Sequence, residues 1–211
     1  MIDFGADALE VAPLLLGAVL SHDSPGGEVA VRITEVEAYL GVGVDPGSHA
    51  FRGRSKRTAS MFGEPGRLYT YFTYGMHVCA NVVCSPEGEA SAVLLRGGEI
   101  VSGEDLARVR RPTAKSDHAL ARGPANLVRA LGITLDEDGA RLDAAPFALT
   151  PPTKAAREVA ASLRTGVSGA GGVEPFVWRF FLAGEPTVSP YKRHPRAGST
   201  ESRGDTPGMQ A

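Results

Sequence analysis

Three features of the 211-residue sequence agree with a mixed α/β (α+β) single domain. The first is residues 68–84, LYTYFTYGMHVCANVVC, where β-formers flank Tyr74-Gly75 and predict a β-hairpin. The second is a pair of strands, 19–22 and 28–40, placed around Asp23-Ser24-Pro25-Gly26-Gly27, a dense turn signal. The third is a set of short helix signals. Residues 7–16 have Asp7 as a cap and Gly17 to end them, 102–111 read as a capped helix with a basic last turn, and Pro124 after Gly123 opens a helix through Leu131.

The remaining chain fills in around these elements. Residues 41–66 form a Gly-, Pro- and Arg-rich loop that contains His49, and a loop of this length in a small domain is more often functional than not. Residues 91–96, SAVLLR, read as a buried strand ending in Arg96, and 141–150 and 173–182 as two more strands. Between the last two, residues 154–163 read as helical. From residue 192 onward there are no core-forming residues, which sets a domain at 1–191 and a disordered tail at 192–211.

Composition excludes several classes. No run of about 18 apolar residues exists to span a bilayer, and the acidic N-terminus MIDFGADALE lacks the basic flank and apolar run of a signal peptide. No membrane association is expected, and the expected location is cytoplasmic, on the nucleoid if the host is bacterial. Cys79 and Cys84 lie five residues apart, so they fall on opposite faces of a regular strand and read as reduced core thiols; no metal-ligand spacing accompanies them. Net charge is −2, short of the basic footprint of many nucleic-acid binders. Charge is nevertheless local: Arg52, Arg54, Lys56, Arg57 and Arg67 cluster against Glu64 alone, enough to neutralise a few phosphates or to make a solvated basic loop.

Two constellations carry chemistry. At the hairpin tip, Tyr74 and Met76 are poorly placed for a core and well placed to push into another molecule, while Tyr71 falls on the strand face opposite Tyr74. An aromatic hairpin covering its own core is the plainer alternative. In the strand 28–40, Val31, Ile33, Glu35, Glu37 and Tyr39 share one face. A carboxylate buried there is costly without a partner, which makes it a candidate base or nucleophile. Glu35 and Glu37 are rooted about 6.5–7 Å apart, so a glycosidase-like pair can be entertained beside two solvated glutamates on an edge strand. Arg96 needs an acceptor, and Glu37 is available across a sheet.

Taken together, EAYLG at 37–41, His49, MFGEPGRLYTYFTYGMHVCAN at 61–81, VLLR at 93–96 and GPANL at 123–127 resemble the alkyladenine (3-methyladenine) DNA glycosylase family. The resemblance spreads over most of residues 9–182. It implies a curved antiparallel sheet wrapped by helices, with the hairpin protruding from it. It also implies a monomeric, monofunctional enzyme that takes damaged purines from duplex DNA without metal or cofactor, and so initiates base excision repair. Such an enzyme must rotate the nucleotide out of the stack, because the anomeric carbon is inaccessible in the helix.

On that resemblance Tyr74 fills the vacated space and Met76 lies beside it, Tyr39 and Tyr71 stack on the flipped base with His49 or its adjoining backbone closing the sandwich, and Asn81 lines the floor against the guanine amine. Glu37 activates water and Arg96 orients that water or the carboxylate. Substrates would be alkylated purines, with deaminated ones such as hypoxanthine open because no general acid stands out. The low net charge implies salt-sensitive affinity. Two readings from other classes stay beside it: a non-catalytic nucleic-acid-binding module built on the same hairpin, and a carbohydrate hydrolase using Glu35 and Glu37.

Overall fold

The longest strand organises the molecule. In the computed structural model, which describes residues 2–73, 75, 77–156 and 158–199, the chain runs α1 (Ala8–Leu15), β1 (Val19–Ser24), β2 (Gly27–Tyr39), β3 (Leu68–Thr73), β4 (His77–Val83), β5 (Ala92–Ser102), α2 (Glu104–Arg110), α3 (Pro124–Leu131), β6 (Phe147–Thr150), β7 (Val159–Ser162) and β8 (Arg179–Leu182). All eight strands belong to one curled antiparallel sheet of order β3-β4-β5-β2-β1-β6, with β8 also on β2 and β7 on β8. One edge of β2 is taken by β5, and the other is shared by β1 along its first half and β8 opposite Glu35, Val36 and Glu37. A bulge in the β2–β5 ladder at Glu35 lets both glutamates serve one site.

Alternation explains which side chains go where. On β2, Val29, Val31 and Ile33 and, past the register shift at Glu35, Val36 join Leu15, Leu16, Leu20, Leu95, Leu127 and Leu131 in the main core, under α1 and α3, so Val31 and Ile33 do not share the face of Glu35, Glu37 and Tyr39 as unbroken alternation predicts. Each of these leucines is fully buried, worth about 1.5–3 kcal/mol apiece against exposure. On β3 the faces divide: Leu68 enters the main core, whereas Tyr69 packs with Ala50, Met61, Phe62, Val83 and Ala92 in a second cluster that Tyr71 joins. The long loop thus closes over the face of the hairpin that carries the tyrosines.

The helix ends follow their sequence signals, with exceptions. Asp7 accepts from the N–H groups of Leu9 and Glu10 at 2.8 and 3.2 Å, and α3 begins at Pro124 and ends at left-handed Gly132. The side-chain cap expected at Ser102 is not formed, because Ser102 still pairs with Ala30 in β5. The turn into α2 falls to Gly103, at φ +75°, where a Cβ would lie 2.2 Å from the Glu28 carbonyl oxygen. The helix expected at 154–163 is not there. Glu158 has φ +56°, and residues 159–162 form β7, an edge strand on β8. The strands expected at 141–150 and 173–182 shorten to β6 and β8, since each window contains a proline that cannot donate to a ladder. Of the expected tail, residues 192–199 hydrogen-bond to the loop 166–169, and the chain from residue 200 on lies outside the described residues.

Candidate active site

A cavity of about 660 Å³ opens between the long loop, the hairpin and the loop 165–168, lined by Tyr39, His49, Arg57, Tyr69, Tyr71, Asn81 and Arg96 among others. Five of the expected residues therefore meet at one place: Tyr39, His49, Tyr71, Asn81 and Arg96. Glu37 stands directly behind the wall, fully buried. Tyr74 and Met76 lie outside the described residues.

The carboxylate of Glu37 is held by three donors. Its Oε1 accepts from the Thr165 N–H at 2.6 Å, and its Oε2 accepts from the Tyr39 hydroxyl at 2.8 Å and from Arg96 Nη1 at 3.2 Å. Burial, then the neighbouring Glu37, push the Tyr39 phenol well above its usual range, so it remains a donor. Arg96 is itself fixed, giving Nε to Glu35 at 2.9 Å and Nη2 to Ser189 Oγ at 3.3 Å.

Glu35 has a different fate from Glu37. Its oxygens accept from Arg96, Arg179 and both the N–H and the hydroxyl of Ser189, at 2.6–2.9 Å. Burial opposes ionisation of Glu35, yet the two guanidinium groups and the Ser189 N–H hold its carboxyl below the usual range. With Arg96, Arg179 and the Ser189 hydroxyl on Oε1 and the Ser189 N–H on Oε2, Glu35 serves to hold the two guanidinium groups in place, which removes the paired-carboxylate hydrolase reading. Nor do the two glutamates lie solvated on an edge strand, since β2 is paired on both sides.

The opposite wall is aromatic. Tyr71 meets His49 edge-on at 4.6 Å between ring centroids and Tyr69 at 5.6 Å, and the Arg57 guanidinium sits 5.4 Å from the Tyr71 centroid. Arg57 Nη2 also lies 3.3 Å from His49 Nε2, and His49 Nδ1 lies 3.3 Å from the Tyr69 oxygen. A guanidinium can only donate, so Nε2 carries the lone pair and the imidazole proton sits on Nδ1, given to Tyr69. Although His49 keeps accessible surface on the cavity, desolvation and then Arg57 lower its pKa to about 4. The unfolded chain takes this proton near pH 6.5 and the folded chain only near 4. Stability contributed by a neutral His49 is thus complete above 6.5 and is lost as pH falls toward 4. Proton NMR should place the His49 titration midpoint near 4. His49→Gln should weaken the loss of stability across that window.

Behind Tyr39 lies a second buried pair that sequence reasoning missed. Arg164 Nη1 and Nη2 give bidentate hydrogen bonds to Asp45 at 2.6 and 2.7 Å, with both side chains fully buried. The guanidinium sits 4.5 Å from the Tyr39 ring centroid, 5.1 Å from that of Trp178 and 5.7 Å from that of Phe176. Gly47 makes room for it, since a Cβ there would lie 2.5 Å from Arg164 Nη2. Tyr69, Arg179 and Thr165 were also missed. Tyr69 could have been found from strand alternation with Tyr71, and Arg179 from being an arginine inside an aromatic strand, the same signal that marked Arg96. Nothing in SLRTGV distinguishes Arg164 or Thr165.

The family model described as "Methylpurine-DNA glycosylase (MPG)" matches residues 2–186. The chain belongs to this family. The glycosylase is 66% identical over 196 residues to a protein of Leifsonia xyli subsp. xyli, covering 91% of this chain and 92% of that one. It is 52% identical over 195 residues to one of Streptomyces avermitilis, with 90% of each covered, and 48% identical over 200 residues to one of Corynebacterium jeikeium, covering 89% and 90%. All three relatives carry the name "Putative 3-methyladenine DNA glycosylase". The glycosylase is accordingly a DNA-repair hydrolase of N-glycosyl bonds, and the non-catalytic module falls away. Among the described residues no helix is long and apolar enough to cross a membrane.

Proposed function

We propose that this glycosylase, acting as a monomer through residues 1–191, removes 3-methyladenine and related alkylated purines from duplex DNA, leaving an abasic site. The damaged nucleotide rotates out of the stack and its base enters the 660 Å³ cavity. One observation carries the reading: a cavity walled by Tyr39, Tyr71 and His49 abuts a buried Glu37–Arg96 pair. Aromatic rings stack on a base with roughly 1–3 kcal/mol each and suit a cationic purine through cation–π attraction.

Water attacks the anomeric carbon and gives its proton to Glu37, with Arg96 orienting it, while the glycosidic electron pair leaves with the purine. Oε1 accepts from the Thr165 N–H alone, so it is the oxygen with a lone pair left for the proton, while Tyr39 and Arg96 hold Oε2 in place. A cationic alkylated purine departs neutral and needs no acid. Hypoxanthine and other deaminated purines do need one, and His49, neutral down to about pH 4, does not supply it. Alkylated bases are therefore the preferred class and deaminated purines the slower one. Asn81, buried and anchored by its amide to the Tyr69 carbonyl at 3.0 Å, excludes the guanine amine. Tyr74 and Met76 occupy the gap in the duplex.

The test is release of free 3-methyladenine from methylated duplex DNA by the purified chain, with abasic sites counted in the same reaction. Absence of both products would overturn the reading. Tyr39→Phe separates two roles of one residue, since it keeps the ring and removes a donor to Glu37. A hydrogen bond to a charged group contributes about 1.5–3 kcal/mol. Release at saturating enzyme should fall roughly 10- to 100-fold while lesion affinity stays within about threefold. Lost affinity with an intact rate would reverse the assignment.

A further inference from the structure

One basic element is used neither by the fold's core nor by the chemistry above. Residues 192–199, KRHPRAGS, run as a strap along the loop that forms one wall of the cavity. The Lys192 carbonyl accepts from the Gly166 N–H at 2.9 Å, the Arg196 carbonyl accepts from the Gly169 N–H at 2.9 Å, and the Gly198 N–H donates to the Gly169 carbonyl at 2.8 Å. Gly166 itself lines the cavity, as do Thr165, Val167 and Ser168. Ala197 also bridges to Gly169 in parallel register, and Ala197 is close enough that a Cβ on Gly172 would lie 3.1 Å from its methyl. The strap is thus fastened to the loop by its backbone, and Arg193 Nη2 donates to the Ala197 carbonyl at 3.4 Å within the strap itself, so no strap cation is needed to hold it to the loop.

Those side chains are cationic. Lys192, Arg193 and Arg196 are exposed, and no ion pair among the described residues involves any of them. Of the other exposed arginines, Arg108 is paired with Glu104 and Asp117 and Arg141 with Asp143, whereas Arg52, Arg54 and Arg57 of the long loop, like the strap, make no ion pair among the described residues. Across the cavity, Arg57 stands on the opposite wall, at the long loop. Three cations that make no ion pair among the described residues thus stand on the element fastened to one wall of the cavity, and Arg57 on the other wall, in a chain whose net charge is −2. A polyanion crossing that opening meets favourable potential at each side, whereas a neutral partner gains nothing from the arrangement.

We propose that the strap 192–199 is a phosphate-binding element that grips the DNA backbone on one side of the extruded nucleotide. The inference rests on the functional reading above. Backbone contacts of this kind position a protein without reading sequence. By holding the strand next to the cavity, the strap adds affinity for any duplex and keeps the opening over the backbone as lesions are sought. It also accounts for how a nearly neutral protein binds DNA, through a few well-placed charges rather than a basic surface.

Each phosphate that is no longer neutralised lowers the slope of log affinity against log salt by about 0.9. The variant Lys192→Gln/Arg193→Gln/Arg196→Gln should therefore bind a duplex carrying a tetrahydrofuran abasic analogue with a slope smaller by about 2 to 3, and with affinity roughly 10²-fold lower near 0.1 M salt. Its melting temperature should match that of the native chain, because the strap is fastened by main-chain groups. Lys154→Gln, on a separate small cavity with Leu16, Gly17 and Arg32, should leave the slope unchanged. If the triple variant melts early, Arg193→Gln and Arg196→Gln made singly should each lower the slope by about 1. An unchanged slope in a variant that folds, beside native protein that binds lesion DNA and releases its base, overturns the strap and leaves the functional reading standing. An unchanged slope with slower base release would make the strap a structural support only, and also overturns it. Native protein that neither prefers lesion DNA nor releases a base overturns the reading and the strap with it.

Discussion

Glu37→Gln should slow release of 3-methyladenine by on the order of 10²- to 10⁴-fold, the range over which a positioned general base acts. Lesion affinity should stay within about tenfold of the native value, because the exchange keeps the side chain's shape and neighbours. The three donors on Glu37 decide how the variant sits. The Gln oxygen can still accept from the Thr165 N–H, and its NH₂ group then turns toward Tyr39 and Arg96. The Tyr39 hydroxyl can rotate to accept, but Arg96 has no such freedom, so one guanidinium N–H loses its acceptor. Arg96 stays anchored by Glu35 and Ser189, which keeps the damage local. The measurement is single-turnover base release alongside equilibrium binding to abasic-analogue duplex. A variant as fast as the native chain would remove Glu37 from the reaction, and a variant that loses binding in proportion to rate would make Glu37 structural.

Asp45→Ala should be the most destabilising single change at the site. It leaves Arg164 charged, fully buried and without its carboxylate, a situation that costs about 3–5 kcal/mol. For a chain of this size that corresponds to a drop in Tm of roughly 10 °C. Asp45 also accepts from the N–H groups of Leu40 and Gly47, so the turn leading to His49 loosens at the same time. Because the Arg164 guanidinium lies against the Tyr39 ring, lesion affinity should fall together with stability. Denaturant titration of Asp45→Ala, Arg164→Met and the double variant tests the coupling. The double variant should be more stable than the sum of the two single losses implies, by about 1–3 kcal/mol, since removing both charges strands neither. Strictly additive losses would show that the two side chains do not act as a pair.

How far the molecule could be read from its residues follows from the range of the interactions involved. The hairpin, the long strand β2 and the helix at Pro124 announce themselves through alternation, turn residues and a proline at the first helical position, all signals within a few residues. Glu37 and Arg96 were legible because a charge in an apolar strand demands a partner, and each is the other's. The Asp45–Arg164 pair joins side chains 119 residues apart, and neither local sequence shows an apolar surrounding that would mark its charge as buried. Residues 154–163 failed for the converse reason. Their alanines favour a helix, but the open edge of β8 and the left-handed backbone at Glu158 make a strand of residues 159–162. Glu35 looked equivalent to Glu37 by period-two alternation, and only the arrival of Arg179 and Ser189 from the far end of the chain distinguishes them.

The distribution of the site along the chain has a bearing on synthesis. Residues 35–49 supply the carboxylate and one wall, residues 69–96 the tyrosines, Asn81 and Arg96, and residues 164–189 the groups that hold Glu35, Glu37 and Tyr39 in place. A nascent polypeptide that has emerged only as far as β5 already contains Glu37 and Arg96, but lacks Thr165, Arg164, Arg179 and Ser189. Two glutamates then share one arginine, and the ring of Tyr39 has no backing. A chain ending before residue 164 would hold Glu37 and Arg96 without the groups that fix them, and it is expected to release no base.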